Sequence, residues 1–520
     1  MKIGQLIETL RHLRTTQVIY QLKHRLVKEK LGEETPPAMT HTVKLQTVPI
    51  AKPRCYDGGE RFTFLNISDD FRGWDMADYG PLWTYNLNYM DWLEQKGIGV
   101  EECLRWIDRF IDELPDNHTG LDPYPIALRI INWAKFFSKH PECRNKKRLN
   151  SMYAQTMLLS RSLEYHLLGN HLLEDSYALF IASFFFNDQK LYRKSSHLLE
   201  KQLQEQILQD GAHFEQSPMY HCIMLDRLLD CINFSKGNNL FDNQDAYTQK
   251  LIRKAAAMLG HLQSIVFHDG SLPMLNDSAN DVAPTSEALF HYARRLGIKR
   301  KIMPLRECGY RKFCDERIEI VSDIGNITAM YQPGHSHADT FNFELRIDGC
   351  PVIVDTGIST YNKNSRRQYE RSTAAHNTVS IANKNSSVVW GGFRMGKRAN
   401  VSVEKDSPTE ILARHDGFGH RIIHQRHFTF CDHAISIEDF IIGKVTSAIS
   451  YLHFSPQTSV SIVSEADGVI KAGKAIIKVE GFSDIRVKTG FVSSKFNKLQ
   501  SCHVLEISFH QQLKYCIKVM

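Results

Sequence analysis

The hydrophobic period of this chain changes once, and that change limits what it can fold into. From about residue 90 to 300 the apolar residues recur at helical spacing. WIDRFIDEL, IALRIINWAKFF, MYAQTMLLSRSLEYHLL, DSYALFIASFFF, SSHLLEKQLQEQIL, MLDRLLDCINF and KAAAMLGHLQSIVF each predict an amphipathic or buried helix. Short polar joints such as FNDQK and SKGNN separate them. Many helices in succession predict stacked antiparallel pairs, as in solenoids and toroids, although no strict repeat is visible. After about residue 315 the period drops to two. ERIEIVSDI, NITAMYQ, FNFELRID, CPVIVDTG, NTVSIAN, ANVSVEKD, RIIHQRHFTF, AISIEDFII, AIIKVEG and VLEISFH alternate apolar and polar residues, with turn signals DGC, DGF, ADG and KAGK between them. A helical half followed by an antiparallel β half predicts an α+β multidomain chain. The helical domain is expected over 1–305 and the β-sheet domain over 306–520.

Composition narrows the function classes. A formal charge of +6 over 520 residues is mild. It suits an acidic substrate, and no Lys/Arg stripe with interleaved aromatics marks a nucleic-acid surface. The eleven cysteines are scattered without a CxxC pair, as free thiols in a reducing compartment would be. The opening MKIGQLIETLRHLRTTQVIYQLKHRLVKEK is interrupted by charge every few residues, so no signal-peptide core is read there. It predicts one amphipathic helix with Ile3, Leu6, Ile7, Leu10 and Leu13 on one face. That helix is either packed or a basic membrane-surface helix. ALFIASFFF at 178–186 falls far short of the ~20 residues that span a bilayer. The expected location is cytoplasmic, at most peripheral at the inner membrane.

Three groups of residues carry chemistry. GHSHADTFNFEL and PVIVDTG place His335 and His337 before a strand-like run that Asp355 closes, and His376 follows in RSTAAHNTV. Positions two apart on a strand share a face. A hairpin turning at Asp348-Gly349 would bring Asp355 beside His337. Three imidazoles and a carboxylate suit zinc, or a network of hydrogen bonds within a sheet. The usual metallohydrolase continuation fails, because Thr340 follows Asp339. In the helical half, LLGNHLLEDS puts Asn170 and His171 in a Gly-led break, and HFEQSPMYHCIML puts Tyr220 at a helix start. Each is a cleft residue or, more plainly, a cap or packed aromatic. WTYNLNYMDWL and LDPYPIALRIINW supply Trp83, Tyr85, Asn86, Tyr89 and Tyr124. Aromatic faces stack on sugars and amides bind hydroxyls, although core packing is the commoner use of any one of them.

GNHLLED, HFEQSPMYH, GHSHADTFNFEL, PVIVDTG and RSTAAHNTV, in this order, resemble the heparinase II/III-like family of polysaccharide lyases, as do WTYNLNY and WGGFRMGKRA. The resemblance covers nearly the whole chain. It implies an N-terminal (α/α) toroid of helical hairpins, a C-terminal antiparallel, sandwich-like β domain, and a site between them. The implied reaction is β-elimination at a uronic acid of an acidic polysaccharide or oligosaccharide. Asn170, assisted by His171, would bind the substrate carboxylate. Tyr220 would protonate the departing O4, and could also be the base. His335 would be the opposite-face base or a carboxylate contact. The implied metal ligands are His337, Asp355 and His376, around a structural zinc. Tyr369 and Arg371 fall where the family contacts substrate, and with Arg394 they could bind an anionic sugar. Members lacking an export signal resemble those that accompany capsule or O-antigen assembly. Two other readings stand beside the lyase: a non-catalytic glycan-binding or assembly protein on the same fold, and a hydrolase with a catalytic zinc on His335, His337, Asp355 and His376.

Overall fold

The computed structural model describes residues 3–38, 41–419 and 421–520. In the helical half, Pro123–Lys139, Gly169–Phe186 and Pro218–Gly237 are buried almost all round and pack side by side. Outside them lie Lys146–Arg161, Gln189–Gln206 and Gln244–Ile265, each following its inner partner and packing on it. The sequence explains the division. The inner helices are buried on every face, with charges such as Lys135 and Asp230 paired between them at 3.0 Å, and the outer ones carry a single apolar stripe. Side-chain caps open several of them: Asn145, Asp188 and Ser217 each accept a backbone N–H of the first turn. Trp83, Trp92, Trp106 and Trp133 are fully buried in this half's core. A three-stranded antiparallel sheet over Tyr56–Asp70, which the periodicity did not foretell, packs on it through Phe62 and Phe64.

The last helix of this half ends at Arg295, and the next strand begins at Tyr310. Two large antiparallel sheets follow, with a two-stranded ribbon of Val389–Trp390 and Arg394–Met395 beside them. One has four strands, from Tyr310–Cys314 to Cys350–Ile353; the other has ten, built around the long hairpin Ala475–Lys495 and Lys498–Val519. Their inner faces share one core, in which Phe343 and Leu345 of the first sheet join Phe428, Ile437 and Ile507 of the second. The hairpin turn at Asp348-Gly349 forms as expected, with φ of 49° and 74°.

Two expected elements differ. The N-terminal segment is two helices, Ile3–Leu10 and Thr15–Leu26. Arg14 between them is extended, and its N–H is capped by Gln17. NITAMYQ is not a strand. Its backbone is met by the other half of the molecule, where the Gln216 side chain bonds Asn326 and Thr328. All eleven cysteines are free thiols. No described helix is long and apolar enough to cross a membrane.

Candidate active site

The first turns of the three inner helices carry Tyr124, Asn170 with His171, and Tyr220. Their positive dipole ends suit an anionic ligand, although the N–H groups of Asn170, Met219 and Tyr220 are already taken by Glu215, Ser278 and Ser217. Asn170 is placed by an unusual start: Leu168 (φ 62°) and Gly169 (φ 58°) are both left-handed. A Cβ on Gly169 would lie 2.4 Å from Glu215 Oε1. The space that side chain would take is used by the Glu215 carboxylate, which accepts Asn170 N–H and Nδ2–H, both at 2.8 Å.

The second hydrogen of Asn170 Nδ2 points to His335 Nε2 at 3.1 Å. His335 Nδ1 lies 2.9 Å from Asp277 Oδ2. A carboxylate only accepts, so Nδ1 carries the proton and Nε2 offers its lone pair. The other oxygen of Asp277 meets His337 Nε2 at 2.8 Å. Arg367 clamps both oxygens of the same carboxylate. Burial alone would raise Asp277. Arg367 and the two imidazoles outweigh it and hold the acid well below the usual carboxylate range. His335 and His337 do not sit on a strand as predicted, but in an irregular segment before one. They are aligned by the two oxygens of one aspartate.

The Tyr220 ring stacks on His335 with centroids 3.9 Å apart, and its hydroxyl is 3.4 Å from that of Tyr361. Burial pushes the Tyr220 phenol well above its ordinary value. That shift suits a proton donor, and a role as base would need substrate or a cationic neighbour to bring the value down.

Of the sugar-binding candidates, Tyr85, Tyr89, Tyr124 and His171 form one continuous row of ring contacts at 6.1, 5.9 and 4.6 Å. Tyr85 and Tyr124 are partly exposed. Asn86 is half-buried and bonds back to Leu82 O. His171 Nδ1 pairs with Glu164 at 3.0 Å. Burial would lower this imidazole, but Glu164 outweighs it and the net shift is upward. Two candidates are excluded by burial. Trp83 is fully enclosed in the core, with its indole N–H on Ile67 O. Arg371 is buried and spends its guanidinium on the carbonyls of Ser336 and Arg394, which fixes the histidine segment. Tyr369 and Arg394 are exposed, packed on Arg366 and Trp390. The rings around His335 are instead those of Tyr361 and Phe393.

Next to this cluster lie the expected metal ligands. His376 Nδ1 bonds Asp355 Oδ2 at 2.8 Å, and Asn342 donates to the same oxygen. The His337 and His376 rings are 5.3 Å apart. Among the described residues, the ligand atoms that converge within 4.8 Å as a group of three belong elsewhere, to Asp210, His261 and Cys308. There, Asp210 already accepts the backbone N–H groups of Ala212, Arg306 and Cys308.

Four residues that complete the cluster were not singled out in the sequence: Glu215, Asp277, Tyr361 and Arg367. Glu215 lies inside HFEQSPMYH, and Arg367 inside RRQYERSTAAHN, one helical turn before Arg371. The i, i+4 spacing of two arginines on one face was the available signal. Nothing near Asp277, in MLNDSAND, distinguishes it from a loop acid.

Comparison with known proteins agrees with this architecture. The heparinase II/III N-terminus model matches residues 135–295, and the heparinase II/III-like C-terminal model matches residues 298–519. The chain belongs to the heparinase II/III-like family. A Pedobacter heparinus protein described as a heparin-sulfate lyase is 27% identical over 342 residues, which is 59% of this chain and 49% of that protein. A heparin-sulfate lyase of Bacteroides stercoris is 22% identical over 318 residues, or 56% and 46% of the two chains. The chain thus spans about half the length of the curated relatives it matches. A crystal structure of heparinase III superposes with a TM-score of 0.70 at 14% identity, covering 100% of this chain and 92% of the other, and shows the shared fold.

Proposed function

We propose that the protein is a polysaccharide lyase that cleaves a uronate-containing glycan by β-elimination. The carrying observation is the stack of a protonated Tyr220 on a His335 whose Nδ1 is fixed by Asp277. His335 Nε2 takes the C5 proton of the uronate. The electron pair forms the C4=C5 double bond as the C4–O4 bond breaks, and Tyr220 gives its proton to O4. The C5 proton is weakly acidic because the neighbouring carboxylate is charged. Helix N-termini and the Asn170 amide would neutralise it, where preorganised donors have most effect. Both Asn170 Nδ2 hydrogens are engaged, by Glu215 and His335, so substrate must displace one of them. The relatives described as heparin-sulfate lyases support an acidic polysaccharide as substrate. The test is ultraviolet absorbance of the unsaturated uronate product on a panel of heparan sulfate, hyaluronan, alginate, capsule and O-antigen polysaccharides. A rise that Tyr220→Phe abolishes supports the lyase. No rise on any member, with the fold intact, favours the glycan-binding reading.

We further propose that His337, Asp355 and His376 hold a structural zinc. What supports it is that His337 Nδ1 and His376 Nε2 are buried and have no hydrogen-bond partner. Asp355 would turn from its bond with His376 to join them. The ion would fix the segment that carries His335 and take no part in elimination. A catalytic zinc on both His335 and His337 fits poorly, because Asp277 already occupies His335 Nδ1 and His337 Nε2, and the Arg367 cation holds that carboxylate. Elemental analysis and the melting temperature with and without chelator test it. Protein isolated without metal, with an unchanged melt, would rule it out.

A further inference from the structure

The helix Thr15–Leu26 sits on the protein the wrong way round. Its inward face is polar and aromatic. Buried Gln17 donates to the carbonyls of Leu167 and Tyr331 at 3.2 and 3.4 Å, half-buried Tyr20 packs on Tyr165 at 4.8 Å, and His24, exposed on its other side, stacks on His166 at 4.4 Å. Those positions, 17, 20 and 24, fall on one side of a helix with ~3.6 residues per turn. Val18, Ile19, Leu22 and Leu26 fall on the opposite side and are 42, 57, 55 and 83% exposed. A helix folded only onto its own protein turns such a stripe inward.

Charge says what the stripe faces. Residues 1–30 hold seven Lys or Arg against two Glu, a net +5 of the whole chain's +6. Lys23 and Arg25 flank the apolar stripe on its two sides, and Lys28 and Lys30 follow; all four are exposed. The segment's ion pairs use Arg11, Arg14 and Glu29 instead. We propose that this helix docks the protein on an anionic lipid surface. It would lie in the plane of the headgroups, with the four apolar side chains inserted and the flanking cations on phosphates. At twelve residues it is too short to span a bilayer. A second copy of the chain is a poorer occupant, because the same positive segment would face itself. The inference does not depend on the proposed lyase activity.

The 520-residue chain should float with phosphatidylglycerol-containing vesicles and not with pure phosphatidylcholine vesicles, and added salt should release it. The Ile19→Glu/Leu22→Glu double variant should stay unbound while melting like wild type, since both side chains are exposed. Lys23→Gln and Arg25→Gln should each weaken partition about fivefold, roughly the worth of one cation at an anionic surface. The proposal is overturned if wild type fails to float with anionic vesicles, or if the double variant still does. A concentration-dependent dimer in sedimentation that the double variant abolishes would overturn it in favour of self-association.

Discussion

Two polar clusters hang from the two oxygens of Asp277, and they are finished differently. On one side, His335 has a partner on each ring nitrogen, Asn170 has both amide hydrogens placed, and Glu215 is the far support. On the other side, His337 and His376 each keep one buried nitrogen without a partner, and so does Asp339 Oδ2. Burial of an unmet polar group costs about 1–3 kcal/mol, so a folded protein rarely leaves several together without a use for them. The contrast separates a site whose protein groups already hold one another in place from one whose free nitrogens suit the proposed ion.

The largest break in that comparison should come from Asp277→Asn. It leaves the Arg367 cation buried without its carboxylate and releases both imidazoles, at a cost of about 3–5 kcal/mol in stability. Thermal denaturation should fall sharply, and turnover and bound metal should be lost together. Tyr220→Phe should act on one side only. Turnover should drop by about 10²–10⁴-fold, as for removal of a general acid, with no change in melting temperature or metal content. Gly169→Ala is gentler. A left-handed non-glycine residue costs about 1–3 kcal/mol, and the new Cβ must push Glu215 from Asn170. Turnover should fall while metal content stays, and a variant as active as wild type would show that Glu215 does not position Asn170. The smallest effect concerns the rim. The folded pKa of His171 is raised, so its imidazolium, and the stability of its pair with Glu164, are fully present below the unfolded value of ~6.5. Both are lost as pH rises through the folded value. KM for an acidic substrate should therefore climb above that range, and His171→Gln should flatten the climb.

How much of this was legible in the sequence depended on the range of the interaction. Helices such as Gly169–Phe186 and Gln189–Gln206 announce themselves because burial imposes a period that any one segment displays. The contact of Tyr85 with Tyr89 was legible for a similar reason, one turn apart on a single helix, whereas Tyr124 joins their row from a different helix. NITAMYQ was misread because its alternation is real but its backbone partner, Gln216, lies about a hundred residues away. Asp277 was invisible on the same ground. Its role is set by Arg367, His335 and His337, none of which leaves a trace in the residues around it. Trp83 shows the limit of residue type: a tryptophan among cleft aromatics turned its face to the core.

Asn170 and Tyr220 come from two helices, Asp277 from the stretch after them, and His335 and Arg367 from the β half. The cluster therefore exists only when both halves have folded and docked. Under the proposed lyase mechanism, competence is in effect a report on assembly. A half-formed chain would expose greasy helices and bare strands, yet it could not cleave a glycan, because the proposed proton donor and its histidine would still be on separate bodies.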